Sequence, residues 1–183
     1  MSSRILRGGA AGLCRTGMVA VVLWAIPATP ATAQAPGTEA ARRATLERMI
    51  RDIREDYPDV PTITPSGLRE SLAAGGIVLV DVRTERERNV STLPGAISAD
   101  EFESRLEDLA GRTVVAYCTI GVRSSGYVRE MRRRGVEVLN LEGSVLAWTH
   151  IGGQLVLDGV ATDRLHVYGR RWNLAADGYR TTW

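Results

Sequence analysis

The sequence predicts an α/β domain with a parallel central sheet. Three observations carry this. Ile77-Val78-Leu79-Val80 and Thr113-Val114-Val115-Ala116 are short, continuous apolar runs rich in β-branched residues, as strands buried on both faces of a parallel sheet require. Between and after them lie segments whose apolar residues recur at helical rather than alternating spacing. At 183 residues, the chain is long enough for one domain with a sizeable core and not comfortably for two. Strands alternating with helices are the pattern of crossover-connected parallel strands.

Taken in order, Thr38 to Tyr57 reads as an amphipathic helix with Leu46, Met49, Ile50, Ile53 and Tyr57 on one stripe, Glu47 and Arg51 paired four apart, and Pro58 as its stop. That stripe is expected to pack on the domain behind it, with a partner surface as the alternative. Asp59 to Pro65 contains a short strand, Ser66 is the expected cap of a helix running to Ala74, and Gly75-Gly76 ends it. The strand Ile77 to Val80 ends at Asp81, and Thr84 to Asn89 is densely charged, as a short exposed helix or loop would be. Asp100 is placed to cap a helix from Glu101 to Leu109 with Phe102, Leu106 and Leu109 inward. Tyr127, Val128 and Met131 mark a helix over Ser125 to Arg134, whose last-turn arginines complement the negative helix end before Gly135. Val136 to Leu141 is the last sheet strand and Ser144 to Ile151 the closing helix, with Trp148 in the core. Asp158-Gly159 signals a hairpin after Leu155-Val156-Leu157, and weak alternation follows at Leu165, Val167 and Tyr168. The tail aromatics Tyr168, Trp172, Tyr179 and Trp183 are expected to pack on the parent domain, or to shape a substrate rim.

The chemistry is concentrated in Tyr117-Cys118-Thr119-Ile120-Gly121-Val122-Arg123-Ser124. A strand here runs through a six-residue loop into a helix, with cysteine at the loop's first position and arginine at its last. Such a loop gathers backbone N–H groups into one concavity at a helix N-terminus, where anions are stabilised. A thiol at its mouth should ionise more easily than a free one, because the N–H groups and the Arg123 guanidinium favour the thiolate. The plainer alternative is a small buried hydrophobe.

Cys-x-x-Gly-x-Arg-Ser between a strand and a helix resembles the active-site loop of rhodanese (thiosulfate sulfurtransferase) domains. Val78-Leu79-Val80-Asp81-Val82-Arg83 is similar to that family's Asp-x-Arg strand end, Leu93-Pro94-Gly95-Ala96-Ile97 to its Pro-Gly-Ala turn, and Leu141-Glu142-Gly143-Ser144-Val145-Leu146-Ala147-Trp148 to the segment closing its last helix. The histidine often found before the Pro-Gly-Ala turn is replaced by Ser91-Thr92-Leu93. The resemblance covers about Asp59 to Val156. It implies a rhodanese-like α/β fold, with a parallel five-stranded sheet flanked by helices, here with an N-terminal helix and a C-terminal extension. It implies Cys118 and Arg123 as catalytic residues, and Thr119, Ile120, Gly121, Val122, Ser124, Asp81 and Arg83 as substrate-binding residues. Asp81 and Arg83 would brace the loop, with Arg83 near the pocket; an ordinary ion pair is the alternative. No metal or organic cofactor is implied. The expected organisation is a signal peptide over residues 1–33, a helical segment over 34–58, the rhodanese-like domain over 59–157 and an extension over 158–183.

The signal peptide is read from residues alone: arginines flank the start, Met18 to Ile26 is unbroken and apolar, and Ala31-Thr32-Ala33 is a small-x-small cleavage pattern. The apolar run is shorter than the roughly 20 residues that span a bilayer, so no stable membrane anchor is expected. A periplasmic or secreted protein follows, with Cys118 as the only thiol of the mature chain and no intramolecular disulfide available to it. The mature chain carries 20 arginines against 21 acidic residues, a balance that gives no reason to expect nucleic acid. His150 and His166 have no metal-ligand or nucleophile-base spacing.

The expected partners are a small anionic sulfur donor and a thiol, protein thiols included, or cyanide as acceptor. The expected reaction is sulfane-sulfur transfer through a persulfide on Cys118. One alternative is a non-catalytic rhodanese-like module that binds a partner or senses redox or persulfide state. Phosphatase or arsenate reductase chemistry uses a related Cys-x5-Arg loop, one residue longer than this Cys-x4-Arg.

Overall fold

A computed structural model of the protein describes residues 37–183. The signal peptide expected over 1–33 lies outside the described residues. The order of elements is α1 (Glu39–Asp56), β1 (Thr62–Ile63), α2 (Pro65–Ala74), β2 (Ile77–Asp81), α3 (Glu85–Arg88), β3 (Ile97–Ser98), α4 (Ala99–Ser104), β4 (Thr113–Tyr117), α5 (Val122–Arg133), β5 (Leu139–Leu141) and α6 (Ser144–Thr149). The extension adds β6 (Leu155–Leu157), β7 (Val160–Thr162), β8 (Arg164–His166), a 3-10 turn (Arg170–Trp172) and β9 (Arg180–Thr182). Strands β1 to β5 form one parallel sheet in the order β1-β5-β4-β2-β3, as the α/β pattern predicts.

Period-2 alternation sends successive residues of β2 and β4 to opposite faces. Leu79, Val115 and Tyr117 join one buried cluster, and Val78, Val80, Val114 and Ala116 join the other. Helix α5 covers the second face with Val128 and Met131. The first face is covered by α1, α2, α6 and the extension, whose Leu165, Val167, Leu174 and Ala175 share a core with Leu46 and Ile53 of α1. The stripe of α1 therefore packs on its own domain. Each of Leu46 and Ile53 removes a side chain from water, worth about 1.5–3 kcal/mol. Helix α1 comes close enough to leave no room for a side chain at Gly143, where an added Cβ would lie 2.5 Å from Ile50 Cδ1.

Several boundaries differ from those expected. Thr64 rather than Ser66 caps α2, accepting from the Gly67 N–H with Pro65 in the first turn, where a missing N–H costs nothing. Ser98 rather than Asp100 caps α4, which ends at Ser104 instead of Leu109. In both cases the capping residue at the end of the short strand takes the role, Thr64 directly after β1 and Ser98 as the last residue of β3. Helix α5 starts at Val122, three residues before Ser125, which places Arg123 on its first turn. Glu47 pairs with Arg43, not Arg51.

The extension is fastened by one buried arginine. Arg42 on α1 donates from Nε to the Ala175 carbonyl at 2.9 Å and from Nη1 to the Gly37 carbonyl at 2.7 Å, and pairs with Asp177. Thr149 accepts from the Ala176 N–H at 3.0 Å, and Tyr179 donates to the Gly153 carbonyl at 2.8 Å. Arg42→Ala would strand a buried carbonyl. Thermal or denaturant unfolding should show a loss of about 1–3 kcal/mol, and an unchanged transition would mean that the extension is held without it.

Candidate active site

Cys118 is the first residue after β4, at the carboxyl end of a central strand where ligands of open α/β sheets bind. Two constraints fix the loop that follows. The N–H groups of Val145 and Leu146, which open α6 and have no partner within it, reach the carbonyls of Cys118 and Thr119 at 3.3 and 3.1 Å. With those carbonyls held by α6, the next N–H groups are free to turn toward the sulfur. Gly121, at φ +121°, then reverses the chain into α5.

Three groups contact or approach the sulfur. The Gly121 N–H donates to Sγ at 3.1 Å, Ser124 Oγ lies at 3.6 Å and Ser144 Oγ at 4.0 Å. Burial pushes the thiol up, but the Ser124 hydroxyl and N–H, the Gly121 N–H and the Arg123 charge outweigh it and hold Cys118 below its usual value. Ser124 Oγ also lies 2.6 Å from Asn140 Oδ1, so its single proton serves either Asn140 or the sulfur, and Ser144 accepts from the Cys118 N–H at 3.1 Å. Asn140 and Ser144 were not singled out from sequence, since neither residue type on a strand end or helix start carries a signal of its own.

Arg123 does not stand free. Its Nη1 and Nη2 reach the two carboxylate oxygens of Glu87 at 2.8 and 2.7 Å, and Nη2 also reaches Thr119 Oγ1 at 3.0 Å. Such a two-pronged fork is the strong geometry for this ion pair. Glu87 is buried, and although burial alone would raise its carboxyl, the bonds from Arg123 and Thr84 bring it down to about 2. The Thr84 to Asn89 segment was expected to be exposed, and Glu87 corrects that. Its signal was present as Thr84-x-x-Glu87, a capping box in which side chain and backbone satisfy each other reciprocally.

Asp81 and Arg83 take a different place from the pocket-side one expected. Their side chains are fully buried, at 0% exposure each, in an ion pair of 2.6 Å. Arg83 also donates to the Ser91 carbonyl, and Asp81 accepts from the Tyr117 hydroxyl at 2.7 Å. Neither lines the cavity beside Cys118, so the expectation of Asp81 and Arg83 as substrate-binding residues, with Arg83 near the pocket, is corrected: the Arg83 charge is taken up by Asp81 beneath the loop. The two brace the loop through β2 and β4.

The cavity, about 300 Å³, is lined by Cys118, Thr119, Ile120, Val122 and Arg123 of the loop, and by Tyr168 and Trp172 of the extension. Gly121 and Ser124 sit behind the sulfur and do not line it. Two of the four tail aromatics thus form the rim, while Tyr179 packs on the core and Trp183 lies against Arg170. Among the described residues, no three His, Cys, Asp or Glu side chains are grouped to hold a metal ion.

Residues 64–151 match the family model of the Rhodanese-like domain. The chain carries a rhodanese-like domain. A Pseudomonas aeruginosa thiosulfate sulfurtransferase structure has the same fold, with a TM-score of 0.51 and 22% identity over 67% of this chain and 24% of that one. A tRNA uridine(34) hydroxylase of Bordetella pertussis is 32% identical over 142 residues, 63% of this chain and 58% of the relative. An HTH-type transcriptional regulator, Rv0324 of Mycobacterium tuberculosis, is 38% identical over 95 residues, 49% of this chain and 42% of the relative. The chain therefore spans little more than half the length of the Bordetella relative, less than half of the Mycobacterium one and about a quarter of the Pseudomonas one. Tyr168 and Trp172 lie beyond the stretch that the rhodanese-like model matches.

Two substitutions should move the thiol in opposite directions. Arg123→Ala removes a positive charge and should shift the pH profile of Cys118 alkylation upward, whereas Glu87→Gln removes a negative one and should shift it downward. Profiles that shift together, or not at all, would dissociate the fork from the thiol. Glu87 also makes an acid-stability prediction. Its carboxyl titrates lower in the fold than the ordinary 4.5, so its contribution is present above 4.5 and lost as pH falls from there toward about 2. Thermal melts across that window should fall more steeply for wild type than for Glu87→Gln.

Proposed function

We propose that the domain is a sulfurtransferase working through a persulfide on Cys118. The observation that carries this is the sulfur itself: a thiol with lowered pKa at the base of a cavity, receiving the Gly121 N–H, beside a helix start. The Cys118 thiolate attacks the outer, sulfane sulfur of thiosulfate or a similar donor. A bond forms between Sγ and that sulfur, the donor's S–S bond breaks, and its electron pair leaves with sulfite or the corresponding product. The persulfide anion remains where the thiolate was, within reach of the same donors. A thiol or cyanide then takes the outer sulfur and returns the thiolate. Ser124 and Gly121 stabilise the anion directly; Arg123 acts as one half of its pair with Glu87, and Asp81 with Arg83 hold the loop's base. No cofactor takes part in these steps.

The name of the Bordetella relative supports a second reading, hydroxylation of a tRNA uridine. We rank it lower because the leader pattern of Met1 to Ala33 supports export, with a mature chain beginning near Gln34 outside the cytoplasm. N-terminal sequencing of extracytoplasmic protein checks that start. A cytoplasmic full-length chain, together with loss of a uridine 34 modification when the gene is removed, would reverse the ranking.

The direct test is to incubate the protein with thiosulfate and measure intact mass. One added sulfur atom, removable by cyanide or a thiol and absent in Cys118→Ser, is the expected result. Serine keeps the fold, but its hydroxyl stays protonated where the thiol ionises. Transfer that survives in Cys118→Ser would remove the mechanism. A persulfide that forms but is never discharged to a soluble acceptor would identify a binding or sensing module instead.

A further inference from the structure

We infer that the preferred donor is organic: a sulfane sulfur carried next to an apolar or aromatic group, as in an organic thiosulfonate or persulfide, seated against Tyr168 and Trp172. This deepens the persulfide reading above and rests on it.

The charge of the site is the first argument. Inorganic thiosulfate is a dianion and is best held by an unpaired cation. Arg123 is the cationic side chain lining the cavity, and both its terminal nitrogens are engaged by Glu87. The face of its guanidinium is occupied as well, by the Tyr168 ring at 5.1 Å. Arg83 is sealed beneath the loop by Asp81, and Arg171 lies against the Trp172 ring without lining the cavity. The fork is therefore close to neutral toward a ligand, and a second negative charge gains little there.

The walls are the second argument. Apart from Cys118, Thr119 and Arg123, the lining is Ile120, Val122, Tyr168 and Trp172. Val122 is 41% exposed and Tyr168 61%, so large apolar surface faces the opening where water now meets it. A cavity of about 300 Å³ is at the lower end of the range for small organic ligands.

The backbone of Tyr168 is the third. Its φ of +66° is left-handed, a conformation costly for an aromatic residue and natural to Gly or Asn. It is held by its own N–H, which donates to His166 Nδ1 at 3.1 Å, and by the following Gly169 N–H, which reaches the Val167 carbonyl at 2.7 Å. A strained residue whose ring is mostly in solvent contributes little to the core. Its position over Arg123 at the cavity rim gives the strain a use.

The reaction balances with such a donor. The Cys118 thiolate attacks the sulfane sulfur of R–SO2–S⁻, the bond between the sulfonyl and sulfane sulfurs breaks, and its electron pair leaves as the sulfinate R–SO2⁻. Two anions give two anions, and no proton, oxidant or reductant enters.

The test compares benzenethiosulfonate with methanethiosulfonate, which have the same charge and reacting atoms and differ in apolar surface, with inorganic thiosulfate as a third donor. Rates of sulfur loading on Cys118 are followed by intact mass, and each is divided by the donor's rate with free cysteine to remove intrinsic reactivity. Wild type should favour the benzene donor over the methane donor by about tenfold, what roughly 1.4 kcal/mol of aromatic contact confers. Tyr168→Asn with Trp172→Leu should reduce that ratio to about twofold. Tyr168→Asn alone should reduce it partway; it removes a mostly exposed ring and substitutes a residue at ease with a left-handed backbone, so the fold survives even where the double variant does not. An unchanged ratio in folded Tyr168→Asn and in the double variant, or a normalised preference for inorganic thiosulfate in wild type, would overturn the inference and leave the persulfide reading standing. Absence of added sulfur from every donor would overturn the persulfide reading and this inference with it.

Discussion

The structure around the sulfur depends on satisfying one buried charge. The Asp81 carboxylate, at the end of β2 and cut off from water, accepts from the Arg83 N–H at 3.0 Å, from Arg83 Nε and Nη2, and from the Tyr117 hydroxyl. Leaving any of these out would strand polar atoms in the core, where each costs on the order of 1–3 kcal/mol. Meeting them locks the ends of β2 and β4 together, with Asp81 opposite Tyr117. Tyr117 passes the constraint on by accepting the Leu93 N–H at 3.0 Å, which positions the turn at Pro94-Gly95. Burial and the neighbouring carboxylate hold its phenol well above the usual value, so it remains a donor to Asp81. Cys118, the next residue, inherits a fixed position.

A second charge pair lies above the first, and the two differ in kind. Asp81–Arg83 is wholly enclosed and serves geometry. Glu87–Arg123 is half open, with Arg123 33% exposed and Glu87 3%, so it bears on the cavity electrostatically while anchoring α3 to the start of α5. A loop rich in N–H donors and a paired arginine can favour a thiolate without making the site a general trap for anions.

Much of this was legible in the residues. Continuous β-branched runs fixed the parallel sheet because strands covered on both faces have no polar side to show, and the spacing from Cys118 to Arg123 announced the loop. The hairpin at Asp158-Gly159 and the stripe of α1 followed from local chemistry alone. What was not legible was decided by tertiary partners. Arg42 is a charged residue in charged surroundings that nothing local distinguishes from its exposed neighbour Arg43, and the capping box marks Glu87 as a helix-start residue without marking it as buried. Their burial becomes visible only when Arg123 and Ala175 arrive from far along the chain. The helix caps at Thr64 and Ser98 were misassigned because capping residues stood two apart in each case and the strand end chose between them.

Tyr168 and Trp172 reach the cavity from a part of the chain that provides no donor to the sulfur. The Gly121 and Ser124 contacts, the hydrogen bonds of the Glu87 fork and the Asp81 brace are all made without either of them, and Tyr168 meets the fork only through its ring against Arg123. Under the proposed reaction, selection and chemistry fall in separate stretches of sequence, one loop for the reactive atom and one for what is admitted to it. Such a division lets drift in a short aromatic segment retune ligand choice without passing through inactive intermediates, so close relatives of this chain could diverge in what they accept while keeping the same reactive centre.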